Sequence, residues 1–290
     1  MINQRLIKKR LLSIKNIKKI SKALEMVSAS KVQKAQELAK NSKPFAEKIY
    51  DLVHTIDVAE LQKDIPLLRT KGLTGNRLFV VVTTDKGLCG SINNNLLRLL
   101  MTDLAKYKGG KNFFITVGKK GQPFCLTHGE LLADYSSYSP ADNPITQITQ
   151  NIVDEFQGLK VDDVFTYYTD FVTAIEQVAK SKKILPFTES ESFIKEAIGN
   201  TGAIKKVNYN YEPGAKELLE EVLPFYIESI IRDVLYEALA SEHSARMMAM
   251  KNATDNAENL SYTLELEYNK SRQQQITNEI AEIVTAKMTI

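Results

Sequence analysis

The chain has 290 residues, 43% of them hydrophobic and 25% charged, and a formal net charge of only +3. That composition places it in the globular class, and no apolar run approaches the ~20 residues that a helical membrane span needs. Its two cysteines, Cys89 and Cys125, are too few for a disulfide framework or a zinc site, which favours a reducing compartment, and His54, His128 and His243 are too scattered for a metal cluster.

The positions of the helix breakers say more than their totals. All 13 glycines and 8 prolines fall between Pro44 and Pro224. Residues 1–43 and 225–290 therefore lack both breakers over stretches longer than the ~8–20 residues of ordinary globular helices. Charge is divided in a similar way: residues 1–50 carry 13 basic and 3 acidic side chains, residues 51–212 carry 18 and 19, and residues 213–290 carry 7 and 13. A basic start and an acidic end attract each other if they lie side by side, although the same basic segment could bind nucleic acid or anionic lipid.

Along the chain, Met1 to Arg10 is basic and acid-free, but no apolar stretch of a secretory signal follows, so it reads as mature sequence. Ile7, Leu11, Ile14, Ile17, Ile20, Leu24 and Val27 recur at intervals of three or four, which puts an apolar stripe along one helix face. Ser42-Lys43-Pro44 predicts a kink or break. The middle changes character: Arg77 to Thr84 reads as a buried strand, Asn93 to Tyr107 as a helix, Asn112 to Val117 as a strand, 144–156 as a helix and Val161 to Thr169 as a strand. Two further strand candidates lie near 172–186 and 205–211, with a polar loop over 188–203. This alternation predicts a small α/β domain with a largely parallel sheet.

After Glu212-Pro213-Gly214 the C-terminal helix begins, with a bend expected near Pro224. Ser241, Ala245, Ala249, Ala253 and Ala257 step by four and so wind around the helix, offering close approach on more than one side. Leu260, Leu264 and Tyr268 continue a thin apolar seam. An antiparallel two-helix coil of the two ends fits the opposite charges and the small residues. At 1.5 Å per residue, residues 225–290 would span roughly 100 Å, well beyond a compact body of this size.

Chemistry is sparse. Thr84 to Ser91 follows a strand and opens a helix, where a phosphate loop would sit, but it is neither GxGxxG nor GxxxxGK[ST]. Gly87 and Gly90 read as tight-turn residues. No local signature supports a Cys89/His128 nucleophile pair, and Glu217, Glu220 and Glu221 read as a solvated helix face. Residues 1–48 lack the stacking platforms of single-strand binders, Phe45 lying at their far end, and the apolar stripe lacks the Trp or Phe anchors of membrane-surface helices. The residues alone reach a long helical coil with a small α/β domain, made for protein partners. A basic coiled-coil nucleic-acid binder and a small α/β enzyme with helical arms remain as alternatives.

Several segments carry a family resemblance. Ser13 to Lys31 reads SIKNIKKISKALEMVSASK, Ser241 to Ala257 reads SEHSARMMAMKNATDNA, and Tyr268 to Gln273 (YNKSRQ) is followed by Ile276 to Ile280 (ITNEI). With Asp85 to Gly90 (DKGLCG) and Tyr211-Glu212-Pro213 between them, these segments resemble the gamma subunits of F-type ATP synthases over essentially the whole chain. The resemblance implies α/β plus coiled coil: a long antiparallel coil of N- and C-terminal helices (1–55 and 212–290) around a central Rossmann-like α/β domain (75–211).

It also implies a non-catalytic rotor without a cofactor. Its partners would be the alpha and beta subunits of the catalytic hexamer, the epsilon subunit and the c-ring, with no nucleic acid. Proton-driven rotation of the c-ring would cycle the beta subunits through ATP synthesis or hydrolysis. By the same resemblance Lys22, Met26, Lys86, Cys89, Arg272, Gln273, Thr277 and Glu279 would meet beta, and Tyr209, Tyr211 and Glu212 the c-ring. Motifs that begin near Leu6 leave no room for a transit peptide, implying a bacterial protein on the cytoplasmic side of the cell membrane. Thr285-Ala286-Lys287, Gln274 and Gln275 depart from the small residues common in relatives, and 188–203 lacks a regulatory cysteine pair.

Overall fold

The computed structural model describes residues 4–288 except 56–60, 62–63, 70–73, 108, 137–143, 188–210 and 213. In chain order the elements are α1 (Gln4–Thr55), a 3-10 turn (Pro66–Leu68), β1 (Arg77–Val82), α2 (Ile92–Lys106), β2 (Asn112–Val117), α3 (Gln122–His128), β3 (Glu130–Asp134), α4 (Ile145–Gln157), β4 (Asp163–Phe171), β5 (Gln177–Leu185) and α5 (Ala215–Met288). They form two compact units, Met1–Ser30 with Arg246–Ile290, and Lys31–Ala245.

The larger unit is built on a sheet in the order β3-β2-β1-β4-β5, parallel except for the β4–β5 hairpin. Its central strand is buried on both faces, as a parallel strand between helical layers must be. Leu78, Val80 and Val82 point into a core with Ile148, Ile152 and Phe156 of α4 and Leu219, Leu223, Ile227 and Ile231 of α5. Phe79 and Val81 point the other way, against Leu96 and Leu100 of α2 and Cys125 of α3. Phe79 stacks between Phe114, at 5.4 Å, and Phe165, at 5.8 Å. Burial pushes the Cys125 thiol up to about 12, which makes it an inert core residue.

The sheet's amino end is tied by one carboxylate. Asp162 is buried, and its Oδ2 accepts from the backbone N–H groups of Thr74 and Gly75, both at 2.6 Å, and from the Thr74 hydroxyl at 3.0 Å. Arg69 Nη2 donates to Val161 O at 3.0 Å while its guanidinium lies over Phe156. These bonds satisfy a charge that would be costly to bury alone.

In the smaller unit α1 and α5 run antiparallel. Lys15 pairs with Glu265 at 2.7 Å and Lys18 with Glu258 at 2.8 Å, so advancing along one helix retreats along the other. The opposite charges of the two ends thus meet as expected. The seam differs from the expected stripes. In α1 a less exposed set runs Ile7, Leu11, Ile14, Lys18, Ser21, Glu25 and Ser28, with Gln4 and Leu24 also half-buried, and in α5 a set runs Met250, Thr254, Ala257, Ser261, Leu264, Tyr268 and Ser271, with Ala253 and Glu265 also half-buried. Both sets step by four and three alternately, the 3.5-residue repeat of a left-handed coil. The stripe read from sequence steps by three from Ile14 where the seam steps by four, which rotates it off the seam by one residue. Ile17, Ile20 and Val27 are consequently exposed, as is Leu260.

Other differences are local. α1 continues through Pro44 without a break, and α5 continues through Pro224. Proline forfeits a single hydrogen-bonded rung, and Leu223, Tyr226 and Ile227 bury the α5 face around that point. The strand expected near 172–186 is β5 alone, since Val172 to Glu176 makes the hairpin turn, closed by Thr173 N–H to Glu176 O at 3.0 Å. The 188–203 loop and most of the 205–211 candidate lie outside the described residues. The short elements α3 and β3 carry too little periodicity to be read in advance. Among the described residues no helix is long and apolar enough to cross a membrane.

Two predictions follow from this packing. Gly118 has φ of +90°, and a Cβ there would lie 2.1 Å from Thr83 O, whereas one on Gly87 would meet nothing within 4 Å. Chemical denaturation should show Gly118→Ala destabilised by ~1–3 kcal/mol or more and Gly87→Ala within about 0.5 kcal/mol of the parent. Lys182 of β5 is buried, and desolvation pushes its ammonium down to about 7 despite the opposing pull of Asp233 and Glu237 on α5. Between that value and the ordinary 10.5 the unfolded chain binds more protons than the folded one, so this group's contribution to stability rises with pH across the window. The denaturation midpoint of Lys182→Met should gain less between pH 7 and pH 9.5 than that of the parent.

Candidate partner-contact surfaces

Three groups of residues were singled out from sequence. The first lies on the coil. Met26 is 64% exposed, and Lys22, also exposed, pairs within its own helix with Glu25 at 2.9 Å. Arg272, Gln273, Thr277 and Glu279 are all exposed. Thr277 Oγ1 donates back to Gln273 O at 2.9 Å, and Glu279 accepts from Gln275 Nε2 at 2.9 Å. Arg272 makes no ion pair among the described residues, leaving a planar five-donor fork on the surface.

Sequence reasoning missed the apolar groups around these polar ones. Tyr262, Leu266, Ile276, Ile280, Ile283 and Val284 are each between 44% and 68% exposed, as are Ile20 and Val27 beside Met26 on α1. Ile276, Ile280, Ile283 and Val284 fall on one face by their spacing. The missed signal was present as apolar residues one or two positions away from a strict 3.5-residue register. A free coil has no use for so many apolar side chains outside its seam.

The second group is the loop after β1. Thr84 organises it: its N–H is bonded to Asn93 Oδ1 at 3.1 Å, and its hydroxyl donates to Lys86 O at 2.8 Å and accepts from Asn93 Nδ2 at 2.7 Å. Cys89 is buried, with its Sγ 3.8 Å from Lys86 O and 3.7 Å from Asn93 Nδ2. Its thiol therefore supports the loop from within and does not present a surface. Exposed at the tip are Lys86 and Leu88. Leu88 holds φ of +63°, a left-handed conformation unusual for leucine, and Gly90 holds +65°. The turn thus uses Leu88 and Gly90 in the positive-φ positions, where Gly87 and Gly90 were expected.

In the third group, Tyr211 packs partly buried against the larger core and Glu212 is exposed. Tyr209 lies outside the described residues. Among the described residues no cluster of three or more metal-ligating side chains occurs.

A family model described as ATP synthase matches residues 3–289. The chain belongs to the ATP synthase gamma chain family. It is 38% identical to the ATP synthase gamma chain of Methylacidiphilum infernorum, with 99% of each chain covered, and 37% identical to that of Herpetosiphon aurantiacus, covering 98% of this chain and 97% of the relative. The Staphylococcus aureus gamma chain is 34% identical over 95% of this chain. Among solved structures, the fold is similar to a rotor chain of the Euglena gracilis mitochondrial ATP synthase, with a TM-score of 0.59 at 19% identity over 94% of this chain and 98% of that one. A chain from the central stalk and c-ring structure of the Tetrahymena thermophila enzyme gives 0.56 at 24% identity, covering 81% and 99%.

The chain is thus a non-catalytic subunit of the central stalk of an F-type ATP synthase, part of a membrane-associated complex. This family assignment gives the exposed apolar positions a context, since a stalk helix is surrounded by other subunits.

The coil separates seam from surface in a way that substitution should expose. Ala257→Leu forces a larger side chain into a seam position that is 6% exposed, and it should cost ~1–3 kcal/mol in denaturation experiments. Ile17→Ser, at a position 49% exposed, should leave stability within about 0.5 kcal/mol.

Proposed function

We propose that the chain is the rotor that couples c-ring rotation to conformational cycling of the catalytic beta subunits, in ATP synthesis or hydrolysis, in a proton-translocating enzyme. The observation that carries this reading is the surface of the coil. Its seam is narrow and holds Ser21, Ser28, Thr254, Ala257 and Ser261, while isoleucine, leucine and methionine side chains stand outward. Small seam residues let the backbones approach closely, which suits a stiff two-helix shaft. Outward apolar and polar groups are distributed unevenly around it, so each angular position offers a surrounding ring a different face. Coupling requires this kind of asymmetry, because a ligand shifts a conformational equilibrium only by its differential affinity for the states.

Polar contacts serve such a machine as reversible catches. Arg272 offers a forked donor to a partner carboxylate, Gln273 adds an amide beside it, and the other contacts proposed for beta are Lys22, Met26, Lys86, Thr277 and Glu279. Cys89 contributes by holding the Lys86–Leu88 tip in shape. Near the start of α5, Tyr209, Tyr211 and Glu212 are proposed to face the c-ring, with epsilon bound to the α/β unit. The assembled subunit would be peripheral, on the cytoplasmic side of a bacterial cell membrane.

Co-expression with alpha and beta subunits should yield a complex with ATPase activity, and omitting this chain from membrane reconstitution should abolish coupled synthesis. Coupled synthesis without it would overturn the rotor reading. Replacing both Arg272 and Gln273 by Ala should lower coupled ATP turnover on the order of tenfold, equivalent to ~1.4 kcal/mol of transient contact. Far-UV circular dichroism should be unchanged, and undiminished turnover would remove both residues from the mechanism.

A further inference from the structure

The turn that joins β4 to β5 reads Val172-Thr173-Ala174-Ile175-Glu176, without the Gly, Pro, Asn, Asp or Ser that favour such turns. Ile175 is 79% exposed, more than any other large apolar side chain among the described residues, and Val172 is 48% exposed. Polar bonds hold the turn without them. Thr173 Oγ1 accepts from the N–H groups of Ile175 at 3.3 Å and Glu176 at 3.0 Å, and Gln177 Nε2 donates to Thr173 O at 3.1 Å and to Ala174 O at 3.2 Å. Ser244 Oγ of α5 also donates to Ala174 O, at 2.8 Å. The tip is thus ordered while two apolar side chains are left in water, and a surface ordered in advance loses less entropy when it docks.

The tip follows the carboxyl end of β4, and the strand beside it, β1, ends at the same edge in the loop that carries Leu88, 65% exposed. Two neighbouring turns at one edge of the sheet therefore show three apolar side chains, which isolated surface residues would not explain. The bond from Ser244 fixes which end of the unit this edge is. Helix α5 starts at Ala215, just after Tyr211 and Glu212, the residues proposed for the c-ring, and reaches the tip at Ser244 roughly 44 Å later. From Arg246 the chain continues as the coil. Within the α/β unit the edge is thus remote from the start of α5, and in the chain it is next to the coil that a ring of partners is proposed to surround.

We propose that the β4–β5 tip, with Leu88 on the neighbouring loop, is a second contact with the catalytic hexamer, in which Val172, Ile175 and Leu88 meet apolar side chains of its alpha and beta subunits. The inference rests on the rotor reading and adds what polar catches do not supply. A shallow apolar contact has no preferred direction, so it can hold the α/β unit against the hexamer while the angle between them changes.

Crosslinking in the assembled membrane enzyme tests it, since both native cysteines are buried and an added one can be labelled alone. Ile175→Cys carrying a benzophenone maleimide should crosslink to alpha or beta on illumination. Leu159→Cys, 48% exposed at the opposite edge of the sheet, should reach neither. Val172→Ser combined with Ile175→Ser should leave the denaturation midpoint of the free chain unchanged and weaken its affinity for the alpha–beta complex about tenfold, whereas Leu159→Ser should leave that affinity unchanged. Should the double variant fail to fold, the crosslink decides. Crosslinks from position 175 only to epsilon or the c-ring, or to no subunit, overturn the inference, as does unchanged affinity of a folded double variant; coupled synthesis with the parent chain would leave the rotor reading standing in each case. A parent chain that never assembles with alpha and beta overturns the rotor reading and this inference together.

Discussion

A single helix, Ala215–Met288, has to satisfy two packing geometries, and the arrangement of the rest of the chain depends on how it does so. Near its start Leu219, Leu223, Tyr226, Ile227, Ile230, Ile231 and Val234 form a wide stripe, the width needed to cover one face of a sheet. Further on, the buried positions narrow to one per half-heptad, as a two-stranded coil demands. Large side chains fill the first geometry and small ones the second, because a sheet face leaves a deep space to occupy while a coil brings two backbones together.

The narrow seam determines what is left outside. A 3.5-residue repeat can bury only about two residues in seven, so any apolar residue beyond that quota must face outward. Ile17, Ile20, Tyr262, Ile276 and Ile283 are such residues. In a free protein they would be a liability. On the proposed rotor reading they are contact area, and Arg272 and Gln273 among them would supply directionality without a deep interlock that would arrest rotation.

The α/β unit solves a different problem, which is to hold its loops in place. Thr84, Asn93 and Asp85 bond the loop amides at one end of the sheet, and Asp162 does so at the other. The architecture is shared with nucleotide-binding folds, but the loop after β1 carries neither phosphate-loop motif, and the Thr84 and Lys119 amides beside it are bonded to the chain's own side chains. Fold and site are separable here, as they are in many α/β proteins. Much of this was legible in sequence: the strands β1 and β2, the helix after β1 and the loop between them followed from periodicity, and the terminal motifs carried the family. Cys89 illustrates the limit, because its place in the DKGLCG motif was readable while its burial beneath Lys86 was not.

By itself the sequence determined the two breaker-free helical ends, their opposite charges, and the alternation of elements that makes the sheet largely parallel. These are properties of local periodicity and of charge totals, both carried by the order of residues. Only the tertiary structure decided which apolar residues are core and which are surface. A helix read alone has a stripe wherever intervals of three and four recur, and it takes a partner's groove to select the positions that alternate strictly. That selection put Ser21 and Ser28 inside and Ile17, Ile20 and Val27 outside, and it gave the coil a seam to hold it together and a separate exposed apolar face.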